Sequence, residues 1–334
     1  MKKGICVAGN MIVDNLYPIE GYPKAGELAA IQEGISKSTG GALCNVIFDL
    51  ARLDATLPLT ALGIVGADED GDLILSLMEA FPNIDRTRIG RKGKTSFTVV
   101  INDLLSKQRT FFTYYGASAL FDESCINWDS LDCEFLHIGY IMLLNALDQE
   151  DAEYGTKMAR LLRNAKQHGI KTSIDIVSEA SERPKKLVPP ALRYTDYCII
   201  NELEASAATG VPLRSGTDAL LQENLEAALL KLKEMGVSTW AVIHCPEGGY
   251  GLDEHNAYVE VPGLRLPEGY IKGSVGAGDA FCSGVLYGAY QGYALREAIE
   301  LGTAAAVCSL SEADSTSGLR PVEEAMALYK KLRQ

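Results

Sequence analysis

The sequence has little that would serve metal-centre, disulfide, membrane or nucleic-acid chemistry. Its eight cysteines, Cys6, Cys44, Cys125, Cys133, Cys198, Cys245, Cys282 and Cys308, include no Cys-x-x-Cys pair. Most sit in apolar runs such as Ile5-Cys6-Val7. They read as buried thiols of a reducing, cytoplasmic protein and exclude a disulfide framework or a zinc ribbon. The four histidines, His137, His168, His244 and His255, show no ligand spacing. No apolar stretch approaches the length of a membrane span. The run after Lys2-Lys3 is broken by Asn10 and Asp14, too soon for a signal peptide. Positive charge is scarce, with 31 Lys and Arg against 44 Asp and Glu and a formal charge of −13. That balance argues against a nucleic-acid partner, which needs a basic footprint. An anionic substrate would need local positive charge from side chains, helix ends or a metal. Internal repeats, low-complexity runs and an interdomain linker are also missing.

What is present is an ordinary globular composition, 47% hydrophobic and 22% charged over 334 residues. The length is ample for a buried core and suits one large α/β domain or two smaller ones. One stretch stands out: Gly273-Ser274-Val275-Gly276-Ala277-Gly278-Asp279-Ala280-Phe281. Strand signals precede it at 256–261, and a helical pattern follows over about 279–290. Gly276, Ala277 and Gly278 let the backbone turn tightly and approach a ligand. Unpaired N–H groups at a helix start, with the helix dipole behind them, form an anion cradle. Asp279 stands at its lip. A carboxylate beside an anion cradle makes electrostatic sense if it takes a proton from a nucleophile; the plainer alternative is a helix cap. The dinucleotide pattern GxGxxG after a first strand does not fit, and no Gly-Lys-Ser/Thr follows this stretch.

From residue 134 onward strands and helices alternate: strand 134–138, helix 151–168, strands 170–176 and 196–200, helix 217–235, strand 239–243. This is the βαβ rhythm of a doubly wound parallel sheet. Lys185-Lys186 with Pro189-Pro190 reads as a loop. Residues 92–116 read as β-rich, and residues 15–38 lack helical periodicity. The glycines after the 59–65 strand suit a turn, with Asp68 or Asp70 capping the next helix.

The 273–281 stretch resembles the second signature of the ribokinase-like (PfkB) sugar kinases, Asp-Thr-x-Gly-Ala-Gly-Asp-x-Phe. Ser274 stands for Thr, and Gly273 replaces the first Asp. Further matches follow in order over nearly the whole chain. Gly9 to Asp14 matches a Gly-x-x-x-x-Asp that places a carboxylate on substrate hydroxyls. Gly40-Gly41 with Asn45 resembles the first signature, Gly-Gly-x-x-x-Asn. The 63–71 glycines, Arg109 of an Arg-Thr strand, and Asn201 with Glu204 complete the series. The resemblance implies one three-layer αβα domain over residues 1–334, its sheet doubly wound and mainly parallel, with a small β-sheet lid within 11–38 and 92–116. It implies transfer of the ATP γ-phosphoryl group to a sugar hydroxyl. Asp279 would be the base, and the N–H groups of Gly276, Ala277 and Gly278 the anion hole. Asp14, Gly40, Gly41, Asn45 and Arg109 would bind the sugar. Asn201, Glu204, Ser274, Gly249 and Thr303 would bind the nucleotide, with Mg2+ reached by Glu204 through water.

Each of these residues also has a bland reading. Asp14 is a turn residue, Gly40-Gly41 a packing contact, Arg109 a solvated charge, Asn201 a cap and Thr303 part of an Ala-rich packed helix. Gly273 lacks the carboxylate that in many relatives surrounds a monovalent cation, which leaves K+ activation open. Ala42 stands where ribokinases proper carry Lys, and no Glu lies near Gly139-Tyr140, so ribose is not the first choice; a hexose or a keto-sugar acid fits as well. The resemblance also carries a homodimer through the lid. Two rivals stand beside the sugar kinase. One is a nucleoside kinase, with Phe111-Phe112 or Tyr114-Tyr115 stacking on a base. The other is a non-catalytic sugar- or nucleotide-binding regulator, prompted by Gly273 and by His244-Cys245-Pro246-Glu247-Gly248-Gly249 where the family carries Thr-Leu-Gly-x-x-Gly.

Overall fold

A computed structural model describes residues 3–179 and 181–333. Apolar runs from scattered parts of the chain form one nine-stranded sheet. Its strands are β1 (Ile5–Ala8), β4 (Leu59–Leu62), β5 (Ile84–Asp85), β8 (Phe135–Ile141), β9 (Lys171–Ile176), β10 (Tyr197–Asn201), β11 (Trp240–Cys245), β12 (Gly248–Leu252) and β13 (Tyr258–Pro262). The spatial order is β13-β12-β11-β10-β9-β8-β1-β4-β5. From β11 to β5 every pairing is parallel, and β12 and β13 add an antiparallel edge. A four-stranded mixed sheet stands beside it in the order β3-β2-β6-β7: β2 (Ile12–Ile19), β3 (Ser36–Gly40), β6 (Ser96–Asp103) and β7 (Arg109–Tyr114).

Side chains alternate along each strand, so the central sheet feeds two cores. Val7, Ile199 and Val242 face one core, with α1 (Ala42–Leu53), α2 (Glu69–Met78), α7 (Ala277–Gln291), α8 (Leu295–Leu310) and α9 (Val322–Leu332). Ala8, Cys198 and Ile243 face the other, with α3 (Lys157–Gln167), α4 (Arg183–Leu192), α5 (Glu202–Thr209) and α6 (Leu225–Glu234). This is the three-layer αβα arrangement with a small second sheet. No helix among the described residues is long and apolar enough to cross a membrane.

Several local expectations need correction. Residues 185–190 are not a loop: α4 runs through Pro189 and Pro190. Each proline removes one helix hydrogen bond, but Leu187, Val188, Ala191 and Leu192 are buried at helical spacing and hold the segment against the sheet. The helix expected over 151–168 begins only at Lys157, because Glu150–Asp151 and Gly155–Thr156 pair as a short hairpin before it. The 217–235 helix begins at Leu225, after a turn of 3-10 helix at Gln222–Asn224. The 59–65 strand breaks at Gly63, and Ile64–Val65 pairs with Gly90–Arg91 instead. Asp68, and not Asp70, caps α2, its carboxylate accepting from the Gly71 N–H at 3.0 Å. Six of the cysteines are buried; Cys125 is exposed and Cys245 intermediate.

Candidate active site

The parallel strands deliver their carboxyl ends to one cavity of about 420 Å³, the usual place for a ligand in such sheets. The cavity is lined by Tyr140 from β8, Asp175 from β9, Asn201 from β10 and His244 from β11. The small sheet contributes Asp14, Thr98, Phe111 and Thr113, and the starts of α1 and α7 contribute Gly41, Asn45, Gly276, Gly278 and Asp279.

Asp279 lies in the first turn of α7 and is 5% exposed. Gly276 forms the N-cap with φ of +85°, and a Cβ there would overlap the Ser315 carbonyl. Only glycine serves that turn. The Asp279 Oδ2 accepts the Asn45 amide at 2.8 Å and the Tyr140 hydroxyl at 2.9 Å. Asn45 is itself oriented by the Ser315 hydroxyl, which donates to its Oδ1 at 3.0 Å. Burial pushes the Asp279 carboxyl up to about 6, and the two hydrogen bonds restrain that rise. Asp175, accepting from the Tyr140 N–H, is driven well above the carboxylate range by burial and then by the Asp279 charge. Tyr140 holds its place with a φ of +58°, an uncommon conformation for a non-glycine residue.

Asn201 and Glu204 close a capping box at the start of α5. Glu204 also accepts from the Ser178 hydroxyl at 2.8 Å, and burial pushes it up to about 7. Asp14 is pushed up to about 6 by burial, against a hydrogen bond from Thr98 and the charge of Arg109. Gly40 lets that carboxylate close in, since a Cβ would overlap Asp14 Oδ2. Gly41 has φ of +87° and passes close to the Asn10 carbonyl.

The structure therefore gathers Asp14, Gly41, Asn45, Asn201, Glu204, Gly276, Gly278 and Asp279 around one space. Gly40 and Ala277 are chain neighbours of the lining residues Gly41, Gly276 and Gly278 but do not line it themselves. Arg109 lines an adjoining cavity of about 750 Å³ that shares Asp14, Phe111 and Val275 with the first. Ser274 is exposed one residue before Val275. Gly249 and Thr303 line neither cavity. Gly249 packs against Phe281 and Ile299, and the Thr303 hydroxyl donates to the Ile299 carbonyl within α8. His244, which shows no ligand spacing in the sequence, lines the cavity and stacks on Phe281 at 4.7 Å. Tyr140, Asp175 and Ser178 were missed. A lone carboxylate inside the apolar run of β9 was the available signal for Asp175; nothing local marked Tyr140.

Comparison with known proteins bears on the fold and the family. A 5-dehydro-2-deoxygluconokinase from Shouchella clausii is 23% identical over 303 residues, 88% of this chain and 87% of that protein. A bifunctional ribokinase/ribose-5-phosphate isomerase A from Fructilactobacillus sanfranciscensis is 26% identical over 221 residues, 66% of this chain, and the match spans only 38% of that protein. The structure of Arabidopsis thaliana ribokinase with ribose and ATP superposes with a TM-score of 0.79 at 18% identity over 99% of both chains. The family model described as pfkB family carbohydrate kinase matches residues 2–321, from before β1 to the residue preceding α9, and the chain belongs to that family.

Proposed function

We propose that this carbohydrate kinase transfers the γ-phosphoryl group of ATP to a hydroxyl of a small sugar or sugar derivative, with Asp279 as general base. The observation that carries the reading is the buried Asp279 carboxylate at the start of α7, facing a cavity shared with Asp14 and Asn45. Its Oδ2 takes both protein hydrogen bonds, so Oδ1 is the oxygen left for the acceptor. The acceptor hydroxyl gives its proton to that carboxylate as its oxygen bonds to the γ-phosphorus. The bond from phosphorus to the bridging oxygen breaks, and ADP leaves with the electron pair. A base with a pKa near 6 is ionised at neutral pH and still strong enough to help. The N–H groups of Gly276 and Gly278, and that of Ala277 in exchange for its 3.4 Å bond to the Ser274 carbonyl, hold the charge on the transferring group. Asp14, Gly41 and Asn45 hold the acceptor, and the small sheet keeps water from intercepting the phosphoryl group.

Among the described residues no lysine or arginine lines the cavity, whereas Asp14, Asp175, Glu204 and Asp279 do. The carboxylate and amide oxygens of Glu204 and Asn201 fit Mg2+, which Glu204 would hold through water. Bound Mg2+ neutralises the phosphates. The same absence of cationic side chains favours a neutral polyol over a sugar acid in the inner cavity. A sugar acid would have to reach Arg109, Lys37 and Arg52 in the adjoining one. A nucleoside acceptor is the second reading, favoured by Phe111, which lines both cavities and is available to stack on a base. A homodimer through the small sheet is also proposed, because the edge strand β7 exposes Phe111, Phe112 and Tyr114; sedimentation of a Phe112→Lys variant as a monomer, like the parent protein, would remove it.

One coupled ADP-release assay over neutral sugars, sugar acids and nucleosides tests the acceptor. Turnover with sugars alone supports the main reading. Turnover confined to nucleosides supports the second, and binding of sugar without ADP release under any cation would leave only a regulator.

A further inference from the structure

Behind the floor of the cavity, His137 in β8, Asp175 in β9 and Cys282 in α7 bring a ring nitrogen, a carboxylate oxygen and a thiol sulfur within 4.8 Å of one another. All three residues are buried, and Asp175 and Cys282 line the cavity. The imidazole is held in orientation by the Ser173 hydroxyl, 3.0 Å from Nδ1. Its Nε2 has no hydrogen-bonding partner among the described residues, although buried polar atoms are nearly always paired. A Cβ on Gly139 would lie 3.3 Å from Asp175 Oδ1 and 3.4 Å from His137 Nε2. Both atoms therefore border the same spot over Gly139, where the Ala42 methyl, 2.3 Å from that Cβ position, must give way before an ion is seated.

We propose that His137, Asp175 and Cys282 form a binding site for a zinc-type divalent transition metal whose occupation inhibits the enzyme. The site differs from the phosphate-side Mg2+ setting in donor chemistry. A nitrogen, a sulfur and one oxygen select Zn2+ or Co2+, whereas Mg2+ prefers oxygen alone. Bond lengths of about 2.0 Å to nitrogen and oxygen and about 2.3 Å to sulfur require the donors to close by about an ångström, and leave a fourth position toward the cavity. Burial lowers the His137 ring to about 3, so its lone pair is available at neutral pH. The thiol and Asp175 give their protons to solvent as the metal binds, so affinity rises with pH.

The expected consequence runs through Tyr140. Asp175 accepts its N–H, and its hydroxyl holds Asp279. A dication drawing on Asp175 pulls at that link. Its charge also favours the ionised form of Asp279 and weakens it as a base. The inference stands apart from the sugar-kinase reading, because its first test is binding and needs no substrate.

The test is Co2+ titration of the full chain. The expected result is one Co2+ per chain with a thiolate-to-cobalt charge-transfer band that Zn2+ displaces. Cys282→Ala should abolish the band, and His137→Gln should weaken Co2+ binding at least tenfold. Should His137→Gln fail to fold by circular dichroism, the smaller change Cys282→Ala decides alone. In the ADP assay, Zn2+ should inhibit the parent protein in excess Mg2+, and Cys282→Ala should be less sensitive relative to its own rate. No charge-transfer band, a band that survives Cys282→Ala, or equal zinc sensitivity in both proteins would overturn the proposal.

Discussion

The floor and the roof of the cavity are built by opposite rules. The floor, at the carboxyl ends of β8, β9 and β10 and the start of α7, is buried and locked. Asp279 is held by Asn45 and Tyr140, Asn45 by Ser315, and Glu204 by Asn201 and Ser178. The roof, in β2, β3, β6 and β7, is thin and half open. Asp14 and Thr98 point inward, while Phe112 on the edge strand is 58% exposed. The difference teaches where chemistry and selectivity are separated. A base must sit where low dielectric raises its pKa and where hydrogen bonds hold it still. We propose that the roof handles the acceptor, since its edge strand β7 is largely exposed and an element with less buried surface opens at lower cost.

Removing divalent metal should break the floor most completely. EDTA is expected to abolish ADP release, because no lysine or arginine among the described residues lines the cavity to replace the metal; full activity in EDTA would refute it. Next is Asp279→Asn, which keeps the size and the helix start and removes the proton acceptor. kcat should fall on the order of 100-fold or more. MgATP affinity should be retained, since backbone N–H groups make the cradle. The melting temperature should be kept or raised: a carboxyl whose folded pKa is about 6 favours the fold at low pH and loses that contribution as pH rises through 6. A near-parental kcat at saturating ATP and acceptor would leave Asp279 as a cap.

Asp14→Ala probes the roof. It should weaken acceptor binding by on the order of 2–4 kcal/mol, the scale of two hydrogen bonds to a charged acceptor, and leave ATP binding alone. Equal losses of both affinities by calorimetry would place Asp14 outside the acceptor site. Tyr140→Phe is a finer cut in the floor. The Tyr140 hydroxyl lowers the Asp279 pKa, so without it the acidic limb of the kcat profile should move to higher pH. At neutral pH the rate should drop on the order of tenfold, as for one hydrogen bond to a charged group. An unmoved limb would show that the hydroxyl does not tune the base. The smallest effect is expected from exchanging K+ for Na+. A Cβ at Gly273 would lie 2.9 Å from the Ala313 carbonyl oxygen and 3.0 Å from that of Glu312, which leaves no room for the Asp of the signature that this stretch resembles. kcat should be the same in both salts; strong K+ dependence would require a cation site built without that carboxylate.

By itself the sequence determined what depends on neighbouring residues. The glycine turn into α7, a cap at Asn201, a cap at Asp68 or Asp70 and the alternation of strands and helices are local events. They are set by backbone freedom and by side chains reaching the next few N–H groups. Tertiary structure alone decided what depends on residues far apart. Asn45 meets Asp279 across 234 positions and Tyr140 meets it across 139; no local pattern carries such a pairing. The same holds for α4, whose prolines argue for a loop until the sheet buries Leu187, Val188, Ala191 and Leu192. Gly249 and Thr303 show the converse, since the residue types suited a nucleotide and packing spent them on Phe281, Ile299 and the interior of α8. The pKa of Asp279 belongs to the same class. A carboxyl at a helix start would be acidic in water, and only enclosure by the strands and helices around it removes the solvent that keeps it so.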